Sequence, residues 1–144
     1  MHGYATTVPW SPSAAPSRNS STPLRRCDLK GYQEHAVQFL LDHPQAMLWL
    51  DMGLGKTVST LTAFAELQDR GLVTTALVIA PLRIVQTVWA QEGQKWEHTR
   101  HLRFSLIHGE ESERAIAIRR HADLYLINPE NVQWLVCSHF WPSC

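Results

Sequence analysis

Gly53, Gly55, Lys56 and Thr57 lie within five residues of one another, in the stretch Asp-Met-Gly-Leu-Gly-Lys-Thr from Asp51 to Thr57. The chemistry this set can do is to hold a polyphosphate. Glycine adopts backbone angles that other residues avoid, and it lets the main chain come close to an anion. Lys56 offers a point charge to the outer phosphates, and the Thr57 hydroxyl can ligate magnesium. A helix beginning at Lys56 would add unpaired N–H groups and the positive end of its dipole. The stricter spacing of a phosphate loop, G-x-x-x-x-G-K-[ST], fails because Leu50 stands at its first position. What remains is G-x-G-K-T, and the competing reading is a glycine-rich turn with a solvated lysine. Context weighs against that turn. The apolar run Ala46–Leu50 before the loop reads as a strand buried on both faces. Val58, Leu61, Ala65 and Leu67 behind it mark the inner face of a helix over Lys56–Arg70, with Gly71 as its stop.

The elements around the loop follow a regular order. Leu29–Asp42 reads as a helix with Tyr32, Ala36, Phe39 and Leu40 inward, ended by Pro44. Thr75–Ala80 reads as a buried strand. Pro81 falls at a first helical position, and Ile84, Val85, Val88 and Trp89 form the apolar stripe of the next helix. Leu102–Ile107 is a third strand, Ser112–His121 a short helix with Ala115 and Ile116 inward, and Asp123–Asn128 a fourth strand, after which Pro129 opens another helix. Strands alternating with helices predict an α/β fold, a parallel sheet with helices on both faces. In such sheets ligands bind beyond the carboxyl ends of the strands, which is where Gly53 and Gly55 would fall.

Composition narrows the function classes. The 144 residues suit one domain, and Lys+Arg and Asp+Glu both total 13. That balance leaves no electrostatic footprint for nucleic acid. No apolar stretch approaches the roughly 20 residues of a membrane span, and three cysteines are too few and scattered for a disulfide scaffold; the expected location is the cytoplasm. Residues 1–27 hold four of the eight prolines, five serines and no acidic residue. They read as a disordered tail. An organellar transit peptide shares that composition, but the prolines oppose the amphipathic helix it needs. Residues 137–144 read as an unpatterned tail. Cys137, His139 and Cys144 are half of a zinc site at most, since four ligands are normally needed. Residues 28–136 form the expected domain.

The motifs, taken in order, resemble the first RecA-like lobe of superfamily 2 helicases, specifically the Swi/Snf-like branch with its phage and bacterial members. Asp51–Thr57 resembles the family's motif I, which has A/D-x-M-G-L-G-K-T, so Leu50 is no departure from it. Leu29–Gln33, "LKGYQ", resembles the upstream L-x-x-Y-Q element, whose glutamine reads adenine. Gln33 has the amide donor and acceptor for this, though alone it is an ordinary polar residue. Leu77–Trp96 resembles motif Ia and its helix; there the resemblance implies that Pro81, Leu82 and Arg83 face a DNA backbone, while Trp89 and Trp96 fit a core. His108 and Gly109 match a short family element. Ala122–Val132 resembles motif Ib, with Asn128 and Glu130 near nucleic acid and Pro129 in place of an aromatic.

The resemblance implies a partial RecA-like P-loop NTPase lobe. It implies that ATP and magnesium are the cofactors, held by Gln33, Met52, Gly53, Leu54, Gly55, Lys56 and Thr57, with Thr57 at the metal. It implies DNA as a partner. The next family motif, D-E-x-x, supplies a metal-shell aspartate and a water-activating glutamate, and no such pair follows Asn131. No catalytic residue is therefore expected here. The leading expectation is the ATP-binding portion of an ATP-dependent DNA helicase or translocase, cut or frameshifted before its hydrolysis motif and second lobe. The alternatives are a non-catalytic nucleotide-binding fragment completed by a partner chain, and a decayed gene product.

Overall fold

The computed structural model describes residues 22–138. Five helices and three strands follow one another as α1 (Gly31–Asp42), α2 (Lys56–Asp69), β1 (Ala76–Ile79), α3 (Leu82–Lys95), β2 (Phe104–Ile107), α4 (Glu111–Arg119), β3 (Leu124–Ile127) and α5 (Pro129–Cys137), with short 3-10 turns at Arg26–Asp28 and Glu97–Thr99. The strands form one parallel sheet in the order β1-β3-β2. Leu124 of β3 lies between Ala76 and Phe104, and Ile127 between Ile79 and Ile107.

Side chains alternate across a strand, and both faces of this sheet are covered. On one face Leu61, Phe64 and Ala65 of α2 pack with Leu102 and Leu124, and Trp89 of α3 joins them. On the other, Ala117 of α4 and Leu135 of α5 pack with Ile107 and Ile127. The α/β class and helices on both faces thus hold. So do the strands expected near 75–80, 102–107 and 123–128, each shortened to four residues.

The strand expected at Ala46–Leu50 is a correction. The run pairs with no other strand among the described residues, and Met47 is 77% and Trp49 87% exposed. Apolar composition gives a segment extended preference, but a strand also needs a neighbour for its main-chain groups. Three inward positions are corrected as well. Tyr32 and Ile84 are each 39% exposed and Ile116 is 57% exposed, whereas Gln33, Val85 and Ala117 point inward. On α4 the reason is close approach: Ser105 Oγ on β2 donates to the Ala117 carbonyl at 2.7 Å, and a small side chain suits that spacing.

Part of the segment expected to be a tail is engaged. Leu24 bridges Trp96 in parallel, its N–H donating to the Lys95 carbonyl at 3.1 Å and its carbonyl accepting from Glu97 at 2.7 Å. Arg26 pairs with Glu34 of α1 and Glu66 of α2, both at 2.8 Å, and so ties the two helices. Residues 1–21 of that tail, and residues 139–144 of the other with His139 and Cys144, lie outside the described residues.

Asp123, just before β3, joins three elements. It accepts from the Arg103 N–H at 2.8 Å, from Arg103 Nε at 3.0 Å and from Gln68 Nε2 of α2 at 2.9 Å. The Arg103 guanidinium, with those N–H donors, outweighs the cost of burial and holds the carboxyl down at about 2, against an ordinary 3.8. A depressed carboxyl stabilises the fold above its unfolded value and loses that contribution as acid protonates it. Asp123→Asn is expected to cost about 2 kcal/mol at pH 7. Urea unfolding of both proteins should show the gap closing as the pH falls from about 4 towards 2.

Candidate functional site

The loop before α2 takes the shape its glycines permit. Gly53 has φ +80° and Gly55 φ +83°, both left-handed. Gly55 is the N-cap of α2, and its carbonyl accepts the first helical bond, from Ser59 N–H, at 3.0 Å. The N–H groups of Lys56, Thr57 and Val58 therefore open the helix with no intrahelical acceptor. Beside Gly53 there is open space where a side chain would otherwise stand.

Gln33 is buried at 8% exposure in the first turn of α1. Its side-chain oxygen accepts from the Lys30 N–H at 2.9 Å, closing the start of α1. Its amide nitrogen donates to the Leu54 carbonyl at 3.2 Å. A Cβ on Gly55 would overlap that amide and lie 3.1 Å from Val58 Cγ1. Gly55 is thus required twice, by its φ and by the passage of Gln33. Lys56 turns its ammonium back onto the carbonyls of Leu50, at 2.6 Å, and Asp51, at 3.1 Å.

These groups line a cleft of about 340 Å³ together with α3. Gln33, Gly53, Gly55, Lys56 and Thr57 face it. Of the expected nucleotide residues, Met52 and Leu54 do not line it; Met52 is 95% exposed, and Leu54 takes part through its carbonyl. Sequence reasoning missed the far wall, which is Val88, Glu92, Lys95 and Trp96. Their spacing of i, i+4, i+7 and i+8 places them on one helical face, a signal that could have grouped them. Glu92 brings a carboxylate to the cleft, where it accepts from Trp96 Nε1 at 2.9 Å.

The second set of expected residues lies elsewhere. Pro81 is the N-cap of α3, Leu82 its first residue, and Arg83 is exposed beside them. Asn128 is the N-cap of α5. The register of β1 with β3 puts both groups past the carboxyl ends of neighbouring strands. Asn128 is 6% exposed. It donates to Glu130 at 2.5 Å and accepts from Asn131 at 2.7 Å. The Asn128 bond, helped by the Glu130 backbone, lowers the Glu130 carboxyl below its usual range. None of these residues lines the cleft.

The donor set fits a polyphosphate with its metal. The left-handed glycines, the start of α2, Lys56 and Thr57 border one space, with the Lys56 ammonium resting on the Leu50 and Asp51 carbonyls. Among the described residues no group of three or more His, Cys, Asp or Glu could hold a metal.

Fold and site define a class: a parallel α/β unit with a left-handed glycine loop opening a helix onto an anion-ready cleft. Comparison with known proteins gives the family. A sequence profile of the SNF2-related domain matches residues 32–136. The chain belongs to the SNF2-related family, that of the Swi/Snf helicases and their ATPases. It is 38% identical over 115 residues to protein p41 of Acyrthosiphon pisum secondary endosymbiont phage 1, covering 77% of this chain and 25% of that protein. It is 32% identical over 93 residues to helicase swr1 of Emericella nidulans, covering 59% and 5%. Among solved structures it resembles the Sulfolobus solfataricus SWI2/SNF2 ATPase core in complex with dsDNA, with TM-score 0.55 and 28% identity, over 70% of this chain and 21% of the other. The chain spans about a quarter of the length of the phage protein.

Gly55→Ala tests the geometry of the loop. The left-handed backbone alone costs about 1–2 kcal/mol with a Cβ present, and displacing the Gln33 amide adds to it. In a urea-unfolding double-mutant cycle, the cost of Gly55→Ala should fall, but not vanish, when Gln33 is first changed to Ala.

Proposed function

We propose that this chain is the nucleotide-binding portion of an SNF2-type, ATP-driven DNA motor. The observation that carries the reading is the left-handed Gly53–Gly55 loop delivering Lys56 to the start of α2, on a chain whose family is ATP-dependent. On this reading the loop N–H groups and Lys56 bind the phosphates, Lys56 leaving its carbonyl acceptors to do so. Thr57 holds magnesium, which neutralises phosphate charge. Gln33 meets the base by exchanging its bond to Leu54 for one to adenine.

Turnover needs more than binding. Hydrolysis requires a positioned base and a held metal, and this sequence has no adjacent Asp-Glu pair. Glu92 is already engaged by the Trp96 indole. The chain therefore binds ATP without hydrolysing it at a useful rate.

Pro81, Leu82, Arg83, Asn128 and Glu130 form the proposed DNA-facing edge. Support comes from their shared position past β1 and β3 and from the duplex DNA in the similar Sulfolobus solfataricus structure. No helix among the described residues is long and apolar enough to cross a membrane. The phage source of p41 supports a place in bacterial cytoplasm.

Titration calorimetry with magnesium-ATP is expected to give saturable heat for the wild type and at least tenfold weaker binding for Lys56→Ala. Steady-state phosphate release should stay at background with or without DNA. Equal heats for the two proteins, or DNA-stimulated release that Lys56→Ala abolishes, would overturn the reading.

A further inference from the structure

Three consecutive residues ahead of α1 touch all three helices that line the nucleotide cleft. Leu24 brackets Trp96: its N–H donates to the Lys95 carbonyl at 3.1 Å, and its carbonyl accepts from the Glu97 N–H at 2.7 Å. Lys95 and Trp96 belong to the far wall of the cleft. Arg25 pairs through Nε with Glu97 at 3.2 Å. Arg26 divides one guanidinium between the two helices of the near wall, meeting Glu34 of α1 and Glu66 of α2. Glu34 follows Gln33 directly in the first turn of α1. A tight turn shapes the three residues. The Asp28 carboxylate accepts from the Arg25 N–H at 2.8 Å, and the Asp28 N–H donates to the Arg25 carbonyl at 2.9 Å. These ties differ in kind from those that hold the fold. Arg25, Arg26 and Glu97 are exposed, and ion pairs in water are individually weak. Deeper, the buried Thr62 hydroxyl of α2 shares a hydrogen bond with His98, in the turn after α3, at 2.7 Å. That bond joins α2 to the end of α3 without help from the segment. The fold therefore persists when Leu24–Arg26 lifts away, and the segment opens and closes as a local event.

We infer that Leu24–Arg26 is a clasp across the two walls, closed by a bound nucleoside triphosphate, and that Arg26 is a positioning residue for the nucleoside end of that ligand. The inference rests on the nucleotide-binding reading of the cleft. An inorganic triphosphate meets the glycine loop and the start of α2, which form one wall. A nucleotide also meets Gln33, and its nucleoside fills the space between Gln33 and the far wall. A ligand that contacts both walls favours the state in which they are held together, and by linkage that state binds the ligand more tightly. Arg26 acts through Glu34, which fixes the turn of α1 that carries Gln33. Leu24 acts through Lys95 and Glu97, which hold Trp96 between them. The clasp therefore distinguishes a nucleotide from its phosphates alone.

The test titrates the full chain with magnesium-ATP and, separately, with inorganic triphosphate and magnesium. Hydrogen exchange at the Leu24 and Glu97 amides, whose bonds are the clasp itself, should slow at least fivefold with saturating ATP and stay unchanged with saturating triphosphate. Arg26→Ala should weaken ATP binding at least fivefold and leave triphosphate binding as it was. Arg26→Lys should recover part of the loss, since an ammonium is a point charge without the fork that reaches two carboxylates. Glu34→Gln removes one pair and leaves Glu66 matched. It should weaken ATP at least twofold with an unchanged melting temperature, and it decides the matter if Arg26→Ala fails to fold. Amides that respond equally to both ligands, or to neither, would overturn the clasp. So would variants that bind ATP as the wild type does, or that lose both ligands alike, as a merely structural role requires. Triphosphate that fails to bind, or that binds Lys56→Ala equally well, would overturn the nucleotide reading and the clasp with it; triphosphate binding without protection of the two amides by ATP would overturn the clasp alone.

Discussion

The contact on which the site depends is the one between Gln33 and the Gly55 backbone. A buried amide must find partners for both its ends, and Gln33 finds them in two places at once. Its oxygen closes the start of α1, and its nitrogen holds the carbonyl of Leu54. The approach is possible only because residue 55 has no side chain. From this contact the rest follows in sequence. α1 is set against α2, the loop is held in its left-handed turns, and the first turn of α2 borders the cleft. Arg26 repeats the tie at the far side of the same pair through Glu34 and Glu66.

The sheet is held by a different device. β3 lies between two neighbours and is the most deeply buried strand, with Leu124, Leu126 and Ile127 at 2% exposure or less. Asp123, at its entry, fixes the starts of β2 and β3 and reaches α2 through Gln68. Because strands β1 and β3 run parallel and in register, Pro81 and Asn128 emerge side by side. One carboxylate at the amino end of the sheet thereby helps to align two loops at the other end. The Gly53–Gly55 loop belongs to a separate arrangement. It hangs from α2 and α1, and Lys56 links it only to the carbonyls of Leu50 and Asp51.

Much of this was legible in the sequence because it depends on local chemistry. G-x-G-K-T marks a loop whose glycines take positive φ, and the apolar run Leu124–Ile127, bounded by Asp123 and Asn128, marks the buried central strand, whereas the run Ala76–Ile79 forms a half-buried end strand. The errors came where a neighbour decides the outcome. Ala46–Leu50 has strand composition but joins no sheet among the described residues, and Met47 and Trp49 are exposed. Tyr32 and Gln33 sit next to each other on α1, and hydrophobicity favours Tyr32 for the interior. The loop carbonyl of Leu54 needs a donor, and that requirement turns Gln33 inward instead. On α4 the closeness of β2 selects Ala117 over the larger Ile116. The cleft wall of Val88, Glu92, Lys95 and Trp96 was present in the spacing of α3, but its significance depends on which helix lies opposite.

Phosphate binding is proposed for the turn from Gly53 to Thr57. The most direct measurement is a titration of the isotope-labelled chain with inorganic triphosphate and magnesium, followed by amide resonances. Saturable shifts concentrated at Gly53, Gly55, Lys56 and Thr57, and weakened at least tenfold in Lys56→Ala, are the result expected. Amides of this loop that stay in place while others move, or that move equally in the variant, would contradict it.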